Sequence, residues 1–190
     1  QMPHLRIWGV VTWGRLKGFL RTASGIIVAT VAAVWLLQSI PVNGQGSFAE
    51  VPVQDSAYAA TAEAIAPVFA PTGFGNWEAV GALTVGFVAK EAVISSWAQT
   101  YAVAEPTDLR SPGDLGEQVQ ADFAESSGGH ATAAVWAFLV FLLAYTPCVA
   151  TLATQWREIG RRWTLFGVAM QLSVAWVVAV VVFQAGRMLT

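Results

Sequence analysis

A lysine and a glutamate stand side by side, Lys90-Glu91, inside the apolar run Gly86-Phe87-Val88-Ala89-Lys90-Glu91-Ala92-Val93. Ionisable groups at lipid depth are costly, so they usually face a protein interior or a water-filled path. A carboxylate suits a divalent cation and an ammonium repels one. Glu91 is therefore a candidate metal ligand, and Lys90 reads as a structural counter-ion. Ser95 and Ser96, one turn further on, offer hydroxyls on the Glu91 side of a helix. The second constellation is Tyr145-Thr146-Pro147-Cys148-Val149-Ala150, which holds the only cysteine of the chain. Pro147 removes a backbone donor and frees the carbonyl four residues earlier, at Leu143. A thiolate beside a kink suits iron(II), copper(I) or zinc far better than magnesium or calcium. Gly86, Lys90, Glu91, Ser95, Ser96, Pro147 and Cys148 are the candidate pore or gate residues, with Cys148 and Glu91 as metal ligands. Plainer readings compete: Lys90 can snorkel from a helix end, and a free cysteine is most often a small buried hydrophobe.

The elements that carry these residues are apolar. Thr22 to Ala49, Ser126 to Trp156 and Trp163 to Gly186 contain no Asp, Glu, Lys or Arg. Crossing a hydrocarbon core of about 30 Å takes roughly 20 apolar residues, which predicts three transmembrane helices, with cores at Gly25–Ile40, Ala131–Tyr145 and its continuation, and Trp163–Gly186. A fourth apolar stretch, Trp77–Trp97, contains Glu78, Lys90 and Glu91 and is broken by Gly81 and Gly86. Asn76 is placed to cap its start. It is either a fourth full span or a broken, re-entrant segment packed inside protein. The fold class expected is all-α: a polytopic helical membrane protein.

Composition agrees. Of 190 residues, 55% are hydrophobic and 12% charged, with mean hydropathy +0.55, against about 25% charged in an ordinary soluble domain. Nine tryptophans, several flanking apolar stretches, suit membrane interfaces. A single cysteine excludes an internal disulfide. No GxxxxGK[ST] phosphate loop occurs, so nucleotide binding of that type is not expected, nor is nucleic acid as a partner.

Charge divides the chain into a basic lead-in helix (1–21, expected to be cytoplasmic), a membrane module (22–99), an acidic flexible loop (100–130) and C-terminal membrane helices (131–190). The linker 100–130 carries six acids and one base, Arg110. Its plain reading is a mobile surface loop, and its functional one an acidic funnel for cations. Basic residues cluster at Arg6, Arg15, Lys17 and Arg21 and at Arg157, Arg161 and Arg162. The positive-inside rule puts both clusters in the cytoplasm. If both acidic linkers lie outside, Trp77–Trp97 must enter and leave on one face. The rule and the glycines favour that re-entrant or broken form over a full span. Among the lesser candidates, His130 reads as interfacial, and Gln171 and Gln184 as amides bonding across helices.

Five blocks carry a resemblance: WGRLKGFLRTA (13–23), IAPVFAPTGFGNW (65–77), GFVAKE (86–91), YTPCVA (145–150) and WTLFG (163–167). In this order they resemble the C-terminal membrane region of the ferrous iron transport protein B family, and specifically its second gate module. The resemblance implies a multi-pass bacterial inner-membrane protein that imports Fe2+, with Cys148 lining the iron path and 22–99 a gate. It also implies that the chain is a fragment. GTP and Mg2+ would then bind only in an absent N-terminal GTPase domain, leaving this chain without enzymatic activity or cofactor. The implied partners are Fe2+, the lipid bilayer, that GTPase domain and a first gate, small cytoplasmic accessory transport proteins and further copies of the chain. Two readings stand against it: a non-transporting membrane assembly module, and a gate for a nucleoside-like solute.

Overall fold

The computed structural model describes residues 5–42, 48–49, 51–88, 90–104, 106, 113–145 and 147–189. Within them, the side chains of 5–8, 11, 15, 19–23, 26–27, 30 and 91 lie outside the described set. The described residues are helical throughout, apart from short connections and one isolated bridge between Pro41 and Ser56.

The sequence from 131 onward builds the central pair. Helix α6 (Ala131–Ala144) and helix α8 (Arg161–Gly186) are antiparallel, with the start of α6 beside the end of α8: a Cβ at Gly186 would stand 2.8 Å from that of Ala133. Their buried faces are small, with Ala133, Ala134 and Ala137 on α6 and Ala175 and Ala179 on α8. Such residues let helix backbones approach closely where lipid supplies no hydrophobic drive. The opposite face of α8 (Trp163, Phe166, Met170, Val174, Val177, Val181) is exposed. That face is a contiguous apolar surface, of the kind that marks an interaction with a partner or a membrane. Two helical stretches, Ala131–Ile159 and Arg161–Gly186, are long and apolar enough to cross a membrane.

The first of these is not one continuous helix. Helix α6 stops at Ala144, and helix α7 (Val149–Ile159) begins after an interruption. The kink expected at Pro147 is thus a full break. Proline supplies no donor to an α-helical ladder and clashes with the preceding turn, and Tyr145 turns to extended backbone (φ −68°, ψ 172°).

Helix α1 (Leu5–Ser39) is continuous, so the described part of the basic lead-in, 5–21, and the apolar core up to Ser39 form one helix with no boundary at 22. After it, helix α2 (Ala57–Ile65) is capped by Ser56 and runs into a 3-10 turn (Ala66–Thr72). Gly73 ends that turn at φ +81°, a left-handed conformation natural to glycine. Trp176 and Gln184 of α8 donate to the carbonyls of Val68 (2.9 Å) and Pro71 (3.2 Å), pinning this turn to the central pair. The expectation that Gln184 bonds across elements is met.

Helix α3 (Trp77–Val88), a 3-10 turn (Lys90–Ala92) and helix α4 (Val93–Thr100) form the segment whose course the sequence left open. At 1.5 Å per residue, α3 reaches roughly 18 Å, too short to cross. Both ends of the segment meet the same residue. Asn76 donates to the carbonyl of Asp122 (3.3 Å), and Tyr101 donates to its carboxylate. The segment enters and leaves on one face. It folds back on itself as a hairpin.

Asp122 belongs to helix α5 (Gly113–Ser126), which corrects the expectation of a flexible loop over 100–130. Residues 105 and 107–112 of that loop lie outside the described residues. Leu115, Val119 and Phe123, spaced by four, make one apolar stripe. Leu115 and Phe123 are buried and Val119 packs on the core. Phe123 meets Trp97 of α4 (6.2 Å between ring centroids) and Phe138 of α6 (5.6 Å). These rings continue through Phe74, Phe141 and Phe69 as one aromatic cluster that ties the hairpin, the 3-10 turn and α6 together.

Candidate functional site

The tip of the α3–α4 hairpin and the α6–α7 interruption face each other. Gly86 lies in the last turn of α3 and is buried. A Cβ there would stand 2.7 Å from Cγ2 of Val93, on the returning leg, and 2.9 Å from the hydroxyl of Tyr145. Only a residue without a side chain lets the two legs and the end of α6 close together. Tyr145 donates to the carbonyl of Leu83 (3.3 Å), and Lys90 Nζ lies 4.8 Å from the centroid of its ring. The described partner of the Lys90 ammonium is thus an aromatic face, whose quadrupole attracts a cation. The side chain of Glu91 lies outside the described set, so the second metal ligand expected from the sequence has no described position.

Cys148 is the N-cap of α7. Its carbonyl accepts from the amides of Thr151 (2.9 Å) and Leu152 (3.1 Å), starting the helix, and its Sγ lies 3.3 Å from Oγ1 of Thr151. The thiol is half-buried at the start of α7; a thiolate is the form of cysteine that binds metals. Pro147, also half-buried, immediately precedes it. The last carbonyls of α6 lie at the same interruption and lack partners within their own helix, as at any helix end.

Ser95 and Ser96 are not part of this meeting point. Ser96 is buried with its Oγ 3.5 Å from the hydroxyl of Tyr58 on α2. Both serines line a groove of about 290 Å³ between α1, α3 and α4, shared with Gln38 and Gln99. His130 occupies the N-cap position of α6.

A second concave site opens where both ends of the hairpin meet α5. The cleft is about 490 Å³, lined among others by Glu63, Asn76, Trp77, Glu78, Asp122 and Glu125. Asn76 caps α3 as expected, accepting from the amide of Ala79 (2.8 Å). Burial pushes the Glu78 carboxyl up to about 6; a backbone hydrogen bond opposes the rise, and the charges of Asp122, Glu125 and Glu63 add to it. Burial also raises Tyr101, and its bond to Asp122 and that charge act in the same direction. Among the described residues, no group of three or more His, Cys, Asp or Glu side chains is arranged to hold a metal ion.

Sequence reasoning missed Tyr145 and Asp122, the residues that join the parts. A tyrosine at the end of an apolar helix next to Pro-Cys was the available signal for the first.

A family profile described as "Gate: Nucleoside recognition" matches residues 20–162. The chain belongs to the Gate family. The match covers the C-terminal part of α1, the hairpin, α5 and both sides of the α6–α7 interruption. Among curated proteins, this Gate chain is similar to Fe(2+) transporter FeoB of Methanocaldococcus jannaschii, with 35% identity over 99% of the chain and 26% of that protein. It is similar to Fe(2+) transporter FeoB of Staphylococcus aureus (strain COL), with 30% identity over 99% of the chain and 26% of that protein. For Fe(2+) transporter FeoB of Salmonella typhi the identity is 27%, over 96% of the chain and 28% of that protein. The chain spans about a quarter of the length of these relatives. No solved structure matches it. The relatives and the two apolar stretches together mark a membrane protein.

Proposed function

We propose that this chain is the gate of a Fe2+ transporter, the part of a longer polypeptide that opens and closes a cation path across the membrane. What carries the reading is that 99% of the chain aligns with proteins named Fe(2+) transporter. The geometry is compatible with it, because two helix interruptions meet beside the only thiol of the chain. Cys148, as thiolate, offers one soft ligand, and helix-end carbonyls offer further oxygens. A site with so few protein ligands leaves most of the coordination to water. Moderate binding with rapid ligand exchange is what conduction requires. Gly86 and Pro147 provide the breaks that bring these groups together, and Lys90 and Glu91 stand at the hairpin tip. The GTP-dependent step is assigned to the remainder of the full-length protein, with no enzymatic chemistry on this chain.

In this reading α1, α6–α7 and α8 are three spans of a multi-pass bacterial inner-membrane protein. The acidic face carrying α5 lies outside, and Arg157, Arg161 and Arg162 lie in the cytoplasm. The hairpin then enters the membrane from the outside. In the full-length protein, Cys148→Ser lowers uptake of radioactive Fe2+ by roughly tenfold or more, the scale on which loss of a group supporting a metal site acts. Wild-type uptake at equal protein in the membrane sinks the assignment. The family description favours one competitor, a gate for nucleosides. Uptake of labelled uridine that survives Cys148→Ser, in a protein that moves no iron, selects it.

A further inference from the structure

The two interruptions touch through one side chain, Tyr145. Its residue is 5% exposed, and its ring stacks on Phe141 with centroids 5.5 Å apart. The hydroxyl is held by the carbonyl of Leu83, one turn before Gly86 on α3, and the ring carries the ammonium of Lys90 from the hairpin tip. Tyr145 therefore contacts α3 through its hydroxyl and the 3-10 turn through its ring, while its own backbone leads within three residues to Cys148. These two holds differ in kind. The hydroxyl bond is neutral and directional. The ammonium–ring contact needs no fixed direction and is worth only a small factor, so it biases two arrangements without locking one.

We propose that Lys90 and Tyr145 form a releasable latch that holds the hairpin tip against the α6–α7 interruption and so limits access to the half-buried Cys148 thiol. This deepens the transport reading and rests on it for its purpose. An arriving divalent cation repels the Lys90 ammonium and favours the state in which it has left the ring. Tyr145 is a positioning residue here, three residues before Cys148 in the chain.

The latch is tested without iron, on the full-length protein in membranes, by the rate at which N-ethylmaleimide alkylates Cys148, read by mass spectrometry of the peptide that carries it. Lys90→Met is expected to raise that rate roughly fivefold, the factor a contact of this type is worth. Lys90→Arg, which keeps a cation over the ring, returns it to the wild-type value. In a Tyr145→Leu background, adding Lys90→Met changes nothing further. An unchanged or slower rate in Lys90→Met, or failure of Lys90→Arg to restore it, overturns the latch, and that pair decides the matter even if Tyr145→Leu does not fold. Alkylation as expected in a protein that moves no Fe2+ removes the transport reading and leaves the latch. Unchanged alkylation in a protein that does move Fe2+ removes the latch alone.

Discussion

Gly86 carries no side chain, and the closure of the hairpin depends on that. Gly86→Ala places a methyl 2.7 Å from Val93 and 2.9 Å from the Tyr145 hydroxyl, inside contact distance of both. Overpacking of this kind costs about 1–3 kcal/mol, so the thermal midpoint of the purified protein in detergent should fall. An unchanged midpoint would mean that the legs separate without cost. Glu78 makes a second prediction, with a sign that follows from its environment. An acid whose folded-state value exceeds the unfolded one supports the fold below the unfolded value, and that support is lost as pH rises through the folded value. For Glu78 the window runs from 4.5 to about 6. Screening at this half-buried group cuts the effect to about 1 kcal/mol, worth roughly 2–4 °C in a chain of this length. Glu78→Gln should therefore raise the midpoint at pH 7.5 relative to wild type and leave it unchanged at pH 4.5. Equal midpoints at both pH values would place the carboxyl in bulk solvent. Lys90 and Cys148 were legible as unusual residues from the sequence, because an ionisable group or a proline stands out in an apolar run. Tyr145 was marked only by its place beside Pro-Cys, and its partner was not legible, because the bond to Leu83 spans 62 positions of chain.

Helix α5 shows why an element can be hidden in plain composition. Acids, glycines and serines over 100–130 suggested a solvated loop, yet one apolar stripe, Leu115, Val119 and Phe123, suffices to dock a helix. Three residues among many polar ones carry little weight in a composition average and all the weight in packing. Loss of the Phe123 ring removes its contacts with Trp97 and Phe138, and truncation of a buried phenylalanine costs about 3–5 kcal/mol. Phe123→Ala should therefore free α5, read as faster limited proteolysis within 113–126 of protein that still inserts in the membrane. Proteolysis at the wild-type rate would mean that Asp122 and Ser126, bonded to Tyr101 and the carbonyl of Gly73, hold the helix by themselves. The long apolar stretches were readable because length and charge depletion suffice to find them. The break between α6 and α7 was only half readable: proline forecasts a disturbance, and whether it bends or ends the helix is decided by what packs against it.

Across the whole molecule, charge and hairpin geometry point to the same arrangement. The positive-inside rule alone left a parity conflict, which disappears once residues 77–101 return to the face they left. Asp122 supplies the physical link, since it bonds to Asn76 before the hairpin and to Tyr101 after it. That pairing makes a prediction about sides. Single cysteines introduced in the full-length protein by Glu63→Cys, before the hairpin, and Ser127→Cys, after it, should both be labelled by a membrane-impermeant maleimide added from outside the cell. Arg161→Cys, at the junction of α7 and α8, should be labelled only after the membrane is opened. Had the segment crossed completely, Glu63→Cys and Ser127→Cys would react from opposite sides, because no other apolar stretch separates them. Opposite labelling would therefore overturn the hairpin, and with it the meeting of the two interruptions on which both the gate and the latch depend.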